Sequence, residues 1–297
     1  MDIRVFRKCL VYVLAVACFC SIGLQNAQAF QPLRIEKPDK DGVIRILAIG
    51  NSFSEDALEQ YFYGLAKAGG YKVIIGNLYI GGAPLDLHWK NVQEDKDAYE
   101  YRKIGLDGKK ERFPKTSISK AIADENWDYI SLQQSSPKSG LFETYLEPLP
   151  LLFNYVKGKA TNPKVKFVWH QTWAYAQTST HSGFASYGND QVKMYQSIMD
   201  ASKRAMKLVP FDILVPSGTA IQNARTKLGD VLCRDGYHLD LNIGRYIASC
   251  TWYEAIFKKT VVGNTYRPEK VTAEQAAIGQ QAAHEAVKRP FKVSKIN

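Results

Sequence analysis

The fold of this chain is decided by residues 44–57, which read IRILAIGNSFSEDA. The run from residue 44 to residue 49 is almost entirely apolar, which is typical of a strand buried on both faces of a parallel sheet. The run ends at a glycine. Ser54 followed by two acids then predicts the start of a helix, because serine caps helices and acids are favourable in the first turn. We expect this amphipathic helix to continue to about Ala68.

Ser52 lies between the predicted strand and the predicted helix. Ligands of open α/β sheets bind at the carboxyl ends of the strands, and Ser52 is at such an end. Backbone N–H groups at the start of the helix would be close to the Ser52 hydroxyl and could stabilise an oxyanion. Gly-Asn-Ser is also common turn chemistry, so this stretch alone leaves open both an active-site serine and an ordinary capping turn.

The first 29 residues have the features of a secretory signal peptide. Three basic residues precede an apolar stretch, residues 9–24, that is too short for a comfortable membrane span. Residues 27–29, Ala-Gln-Ala, fit the pattern of a cleavage site, so we expect cleavage after Ala29 and a secreted or periplasmic mature protein. Lipoprotein anchoring at Cys18 is a weaker alternative, because the preceding residues lack the leucine of a lipobox.

Removal of this signal leaves 268 residues and lowers the formal net charge from +10 to +8, since three bases and one acid are lost. The length, with 45% hydrophobic residues in the full sequence, suits one large α/β domain. Cys233 and Cys250 remain, and we expect two buried thiols rather than a disulfide, because Cys250 lies deep in a predicted helix. We expect no transmembrane segment in the mature protein and no nucleic-acid partner, since no nucleic-acid-binding motif accompanies the basic residues.

Strands and helices alternate along the main part of the sequence, which predicts a parallel sheet covered by helices. We place an N-terminal extension at 30–42, the main domain at 43–262 and a C-terminal helical tail at 263–297. Five strands are predicted, at about 44–49, 71–80, 127–132, 164–169 and 211–215. Residues 86–120 are polar and broken by glycine and proline, so we expect an irregular insertion with short helices there.

Short polar motifs accompany these elements in a fixed order. They are Gly50-Asn51-Ser52 after strand one, Gly81-Gly82 after strand two, Gln133-Gln134 after strand three and Asp235-Gly236-Tyr237-His238 before the last main-domain helix. Over about residues 43–260 this order resembles the SGNH (GDSL) hydrolase superfamily, and more narrowly an uncharacterised bacterial family of SGNH-like proteins. The resemblance implies a flavodoxin-like three-layer α/β/α sandwich with a central, mainly parallel five-stranded sheet. It also implies serine ester hydrolysis without a metal or an organic cofactor.

A serine nucleophile needs a base within hydrogen-bond reach, and His238 is the best candidate for the base of Ser52. Among the five histidines, only His238 has an acid three residues earlier on a short loop. That spacing lets Asp235 hold one ring nitrogen while the other takes the serine proton. A turn followed by a helix cap would give the same pattern. His170, at the end of the fourth strand, is the rival base.

The resemblance implies three donors to the oxyanion: the Ser52 N–H, a glycine N–H after the second strand and an asparagine side chain after the third. Gly82 is the better glycine candidate, with Gly81 as the alternative. The expected asparagine is absent. We expect Gln134 to replace it, with Gln133 as the alternative, because adjacent side chains on an extended chain point in opposite directions.

An aromatic and polar loop, residues 173–187, follows the fourth strand and favours a carbohydrate substrate over a lipid acyl chain. The candidate substrate contacts are Trp89, His170, Trp173 and Tyr175. We therefore interpret the chain as a secreted serine esterase that removes acetyl or other small acyl groups from an acylated carbohydrate. The alternatives are a lipase or thioesterase acting on lipid acyl chains, and a non-catalytic carbohydrate-binding protein on the same fold.

Overall fold

The structure is a computed structural model that describes residues 41–297. A seven-stranded sheet runs through this part of the chain. The predicted signal peptide and almost all of the predicted extension lie outside these residues. The strands are β1 (Val43–Gly50), β2 (Lys72–Tyr79), β3 (Tyr99–Ile104), β4 (Lys110–Thr116), β5 (Tyr129–Leu132), β6 (Lys166–His170) and β7 (Ile213–Val215). Their spatial order is β4-β3-β2-β1-β5-β6-β7. Five of them are parallel, and β3 and β4 form an antiparallel hairpin next to β2.

The hairpin corrects the prediction for residues 86–120, because this segment contains a helix and two strands instead of an irregular insertion. The sheet therefore has seven strands, where the sequence predicted five. Strand β3 buries Tyr99, Tyr101 and Ile104, whereas β4 is almost wholly exposed. An exposed edge strand with charged residues and Pro114 lacks the apolar alternation from which strands are predicted.

The helices of the described residues lie on both faces of the sheet. They are α1 (Ser52–Leu58), α2 (Phe62–Ala68), α3 (Leu85–Gln93), α4 (Ile118–Asp124), α5 (Pro148–Lys159), α6 (Gln191–Leu208), α7 (Ser217–Leu228), α8 (Ile243–Phe257) and α9 (Ala273–Lys288). Side chains that alternate along β1 reach opposite cores. Ile46 and Ala48 pack with α1, α2 and most of α6–α9, whereas Leu47 and Ile49 pack with α3–α5. This arrangement confirms the predicted three-layer α/β/α class with a mainly parallel sheet.

The helix after β1 begins earlier and ends earlier than predicted. It starts at Ser52 rather than Ser54, and a second helix covers Phe62–Ala68. The cap is Asn51, whose Oδ1 accepts the Phe53 N–H at 2.9 Å. Ser54 instead lies in the first turn, where its hydroxyl accepts the Asn51 N–H at 3.1 Å. The residue nearer the strand therefore caps the helix, in place of the predicted Ser54.

Helix α9 lies in the predicted C-terminal tail and packs against α7 and α8. Ala282, Ala283 and Ala286 are fully buried, so this segment contributes to the same core as the sheet. Cys233 and Cys250 carry free thiols; Cys250 is fully buried and Cys233 is partly buried. No helix within residues 41–297 is long and apolar enough to cross a membrane.

Candidate active site

Ser52 is the first residue of α1 and follows directly on the turn that ends β1. The buried Asn51 fixes this turn through its side chain and its backbone N–H, as described above. Ser52 itself is only partly buried. Its hydroxyl has no hydrogen-bond partner among residues 41–297, so it is held at the surface in a fixed turn and is free to meet a ligand.

Asp235 and His238 form a close pair on the loop before α8. His238 Nδ1 lies 2.7 Å from one carboxylate oxygen, and the other oxygen accepts the His238 backbone N–H at 2.8 Å. Since a carboxylate can only accept, Nδ1 carries the proton and Nε2 keeps a free lone pair. Burial raises the pKa of Asp235, but hydrogen bonds from the His238 ring and backbone outweigh it, and the net shift is downward. Asp235 therefore stays charged and orients the ring.

Phe53, the residue after Ser52, brings the serine turn close to the histidine loop. Its ring centre is 6.1 Å from that of His238, and its other neighbour is Trp173, which stacks on it at 4.1 Å. The Trp173 indole N–H donates to the Tyr237 carbonyl at 2.8 Å, so the residue before His238 is fixed to the same stack. No hydrogen bond joins Ser52 to His238 within the described residues. Such contacts are often long before a substrate binds and shorten in its complex.

The loop that carries the pair depends on a glycine. Gly236 has a φ of +91°, and a Cβ at this position would lie 3.0 Å from Ser179 Cα. Its carbonyl accepts the N–H of Ala176 at 2.8 Å. The segment that follows β6 therefore holds the Asp235–His238 loop through close backbone contacts that a larger residue would disturb.

The Gly81-Gly82 turn is tied to the serine turn by Asn51, whose side-chain amide donates to the Ala83 carbonyl at 3.0 Å. Gly82 is exposed and has a φ of +67°. Neither glycine N–H has a hydrogen-bond partner within the described chain. One buried side chain therefore fixes the relative position of Ser52 and the glycines, which are the predicted sources of backbone donors.

Gln134, the predicted third oxyanion donor, has both ends of its side-chain amide engaged by other residues. Its Oε1 accepts the backbone N–H groups of Leu85 (3.0 Å) and Ser135 (2.9 Å). Its Nε2 donates to Thr144 Oγ1 at 3.1 Å. Both ends of the amide are used within a buried cluster that ties the start of α3 to the segment before α5.

Gln133 lies behind the serine turn instead. Its Nε2 donates to Asn51 Oδ1 at 2.9 Å, and its Oε1 lies 2.9 Å from His170 Nδ1. Because Oε1 can only accept, His170 carries its proton on Nδ1, and Nε2 accepts from the Ser217 hydroxyl at 3.1 Å. Gln133 therefore supports Asn51 through one of its two amide hydrogens.

His170 is fully buried, and burial lowers its pKa to about 3. Both ring nitrogens already have partners, so His170 cannot serve as the rival base without breaking this network. Trp173 and Tyr175 are fully buried as well, and the Tyr175 hydroxyl lies 2.8 Å from Ser136 Oγ. These three predicted substrate contacts are therefore buried side chains with partners inside the protein. Trp89 is partly buried and packs against the core on the α3–α5 side.

Two half-exposed rings next to His238 were not predicted. The Tyr237 ring centre is 4.2 Å from that of His238, and the His181 ring centre is 4.8 Å from that of Tyr237. His181 Nδ1 accepts the Gly183 N–H at 3.0 Å, so its proton is on Nε2. Burial and the neighbouring His238 lower the pKa of His181. Tyr237 lies inside the Asp-x-x-His motif and could have been found, whereas His181 has no local signal.

The chain belongs to the family defined by a domain of unknown function, DUF4886, whose sequence profile matches residues 45–286. A crystal structure of a DUF4886 family protein from Bacteroides uniformis is 49% identical and superposes with a TM-score of 0.84, covering 86% of this chain and 98% of that one. The narrower resemblance to a family of unassigned activity is thereby confirmed. Among curated proteins no match to this chain is found.

Two further solved structures match this chain at low similarity. A suggested SGNH hydrolase from Slackia heliotrinireducens is 18% identical with a TM-score of 0.47, covering 72% of this chain and 99% of that one. An acetylxylan esterase from Geobacillus stearothermophilus is 12% identical with a TM-score of 0.46, covering 76% and 97% respectively. Likenesses of this strength do not assign an activity.

Proposed function

We propose that this chain is a serine ester hydrolase of the SGNH type in which Ser52 is the nucleophile, His238 the base and Asp235 the residue that orients the base. The observation that carries the proposal is the Asp235–His238 pair: a 2.7 Å contact that leaves Nε2 free, on a loop packed against the residue after Ser52. A turn followed by a helix cap would not require the imidazole to be oriented in this way.

The reaction runs through a covalent acyl-enzyme. His238 Nε2 takes the proton of Ser52 Oγ while Oγ attacks the ester carbonyl, and the C=O electron pair moves onto the oxygen. The tetrahedral intermediate collapses, the proton on Nε2 passes to the departing alkoxide, and an alcohol leaves. Water then gives a proton to Nε2 as it attacks the acyl-serine, and collapse of the second intermediate returns that proton to Ser52 and releases the acid.

The oxyanion is stabilised by two backbone donors, the Ser52 N–H and the Gly82 N–H, which have no other hydrogen-bond partners within the described residues. Asn51 fixes their separation, because its side chain bonds both turns. Gln133 holds Asn51 from behind. In this arrangement Gln133 supports the oxyanion-binding turn through Asn51 and is not itself the third donor.

The substrate is an ester of a small acyl group with a hydroxylated ring, such as an acetylated carbohydrate. Tyr237 and His181 give the alcohol side of the site two half-exposed rings, and the Tyr237 hydroxyl and His181 Nε2 have no hydrogen-bond partner among residues 41–297. An aromatic face with adjacent polar atoms suits a sugar ring. The buried side chains bonded at the serine turn, Asn51 and Gln133, are polar, and this disfavours an apolar cleft for a long acyl chain there.

An activity-based phosphonate probe tests the nucleophile. We expect the protein without residues 1–29 to react once, at Ser52, and Ser52→Ala to be unreactive. Esters of p-nitrophenol with acyl chains of two to eight carbons test the acyl side, and rates should fall as the chain lengthens. Acetylated oligosaccharides test the alcohol side. Glycan binding with no probe reaction and no hydrolysis would establish the non-catalytic alternative and overturn the proposal.

The export proposal has its own test. If residues 1–29 are a signal peptide, the protein recovered from the producing cell should begin at Phe30 by intact mass. An uncleaved chain, or a lipidated Cys18, would overturn this assignment without affecting the catalytic one.

A further inference from the structure

Asp56 lies one turn after Ser52 on α1 and is a buried charge that the proposed reaction does not use. Its side chain is only 1% exposed. One carboxylate oxygen accepts the backbone N–H of Leu239 at 2.9 Å. The other accepts from Arg245 Nε at 2.7 Å and from Arg234 Nη1 at 3.2 Å. A buried carboxylate with three donors is costly to disturb, because each lost donor leaves charge without a partner.

All three donors belong to the loop that carries the catalytic pair or to the helix that follows it. Arg234 directly precedes Asp235, and Leu239 directly follows His238. Arg234 Nη1 also donates to the Leu239 carbonyl, so the two ends of the loop are joined to each other as well as to Asp56. Arg245 is in the first turn of α8. Both ends of the four-residue motif are therefore fastened to the helix that begins with the nucleophile.

We propose that Asp56 is the positioning residue that sets the distance between His238 and Ser52. The inference rests on the proposed function. Asp56 touches no reacting atom and acts through the backbone on either side of the pair. Since Ser52 and Asp56 are on one short helix, the distance between them is fixed, and the bonds of Asp56 to the loop hold the loop at a fixed distance from the nucleophile. A displacement of about 1 Å in such a geometry can cost on the order of 100-fold in rate.

Glu59 supplies a matched control, because it is an equally buried carboxylate at the end of the same helix. Its side chain is 1% exposed, and it pairs with Arg102 at 3.3 Å and Lys110 at 2.9 Å. Arg102 and Lys110 are on the β3–β4 hairpin, and Glu59 Oε1 also accepts from the side-chain amide of Asn77 on β2. A glutamine at position 59 keeps an oxygen that can accept from Asn77, and none of the three partners bonds to the Asp235–His238 loop. Neutralising Glu59 removes a comparable buried ion-pair cluster that involves the hairpin instead of the Asp235–His238 loop, and so reports what the loss of a buried charge elsewhere on α1 does.

The test compares Asp56→Asn and Glu59→Gln in the protein without residues 1–29. For Asp56→Asn we expect the turnover of p-nitrophenyl acetate and the rate of Ser52 labelling to fall roughly 10- to 100-fold, with KM changed less than about threefold. Glu59→Gln should leave both rates within about twofold of the wild-type values, even if its melting temperature falls as far as that of Asp56→Asn. Hydrogen exchange of the Leu239 amide should accelerate only in Asp56→Asn.

The outcomes separate this inference from the proposed function. If the wild-type protein neither labels nor hydrolyses, the proposed function fails and this inference fails with it. If the wild type is active and the two variants lose rate equally, or Asp56→Asn loses none, only the role of Asp56 is overturned. Should Asp56→Asn not fold, Arg234→Gln removes one of the three donors. It should give a smaller loss of the same kind, and an unchanged rate would overturn the role.

Discussion

Two histidines of this protein lie near the carboxyl ends of the strands, and their surroundings are opposite. His238 is on a loop, partly exposed, with one ring nitrogen on a charged carboxylate and the other free. His170 is at the end of β6, fully buried, with both nitrogens bonded to neutral side chains. Proton transfer needs a free nitrogen and a partner that stabilises the imidazolium, and only His238 has both. His170 lacks a charged partner, and its two hydrogen bonds give it a structural role.

The largest effect should separate these two histidines by activity. Ser52→Ala and His238→Ala should each lower kcat by roughly 10⁴-fold or more, and the double variant should be scarcely worse, because the residues act as one unit. His170→Ala should keep kcat per active site within about tenfold after correction for the folded fraction. Titration with the phosphonate probe and steady-state kinetics measure this. A dead His170→Ala with an active His238→Ala would reverse the comparison.

A smaller effect should come from the carboxylate that distinguishes the two rings. Asp235→Ala should lower kcat by about 10²- to 10³-fold, since the ring loses its orientation but keeps its chemistry. Asp235→Asn should be worse than Asp235→Ala, because the amide can donate to Nδ1 and so favours the tautomer with its proton on Nε2. Steady-state kinetics of the two variants at one pH give the ranking. The opposite ranking would mean that the 2.7 Å contact does not set the tautomer.

The buried His170 should make the free energy of unfolding depend on pH. Burial lowers the pKa of His170 to about 3, whereas an unfolded histidine has a pKa of about 6.5. Between these values the unfolded chain binds the extra proton, so the free energy of unfolding falls as the pH is lowered, by up to ~1.4 kcal/mol per pH unit from this group. In His170→Gln this slope should be reduced below pH 6.5. Urea unfolding at pH 7, 5.5 and 4.5 measures it, and an unchanged slope would contradict the assignment.

The smallest effect should be that of Gln134 on turnover. Because its amide is held by Thr144 and backbone N–H groups, Gln134→Ala should leave kcat within about threefold and lower stability by about 1–3 kcal/mol, the cost of unsatisfied buried groups. Gln133→Ala should lower kcat more, since Asn51 loses its support. Denaturant titration and kinetics of both variants test this pair. A loss of 10² or more in Gln134→Ala alone would restore it as an oxyanion donor.

The sequence predicted the five parallel strands and the contact between Asp235 and His238, because these depend on local patterns: apolar runs, turn residues and a three-residue spacing. It did not predict the environment of residues whose partners are far away in the chain. His170, Trp173 and Tyr175 were candidate substrate contacts because they follow a strand end, yet α7, Gln133 and the Asp235–His238 loop cover them. The partners of Gln134 likewise could not be read from the sequence, since they come from the start of α3 and from the segment before α5.

The hairpin that the sequence did not reveal has a consequence for how copies of this molecule meet one another. An open sheet has two edges, and each is a row of unpaired backbone groups to which another chain can add. Here one edge is β4, which exposes three charged residues and contains Pro114, a residue with no N–H to offer. The other edge is β7, which is only three residues long. A neighbouring chain would have to bury charge at the first edge and would find almost no template at the second. The exposed, charged strand β4 of the hairpin and the short strand β7 thus both disfavour the addition of a strand from another chain.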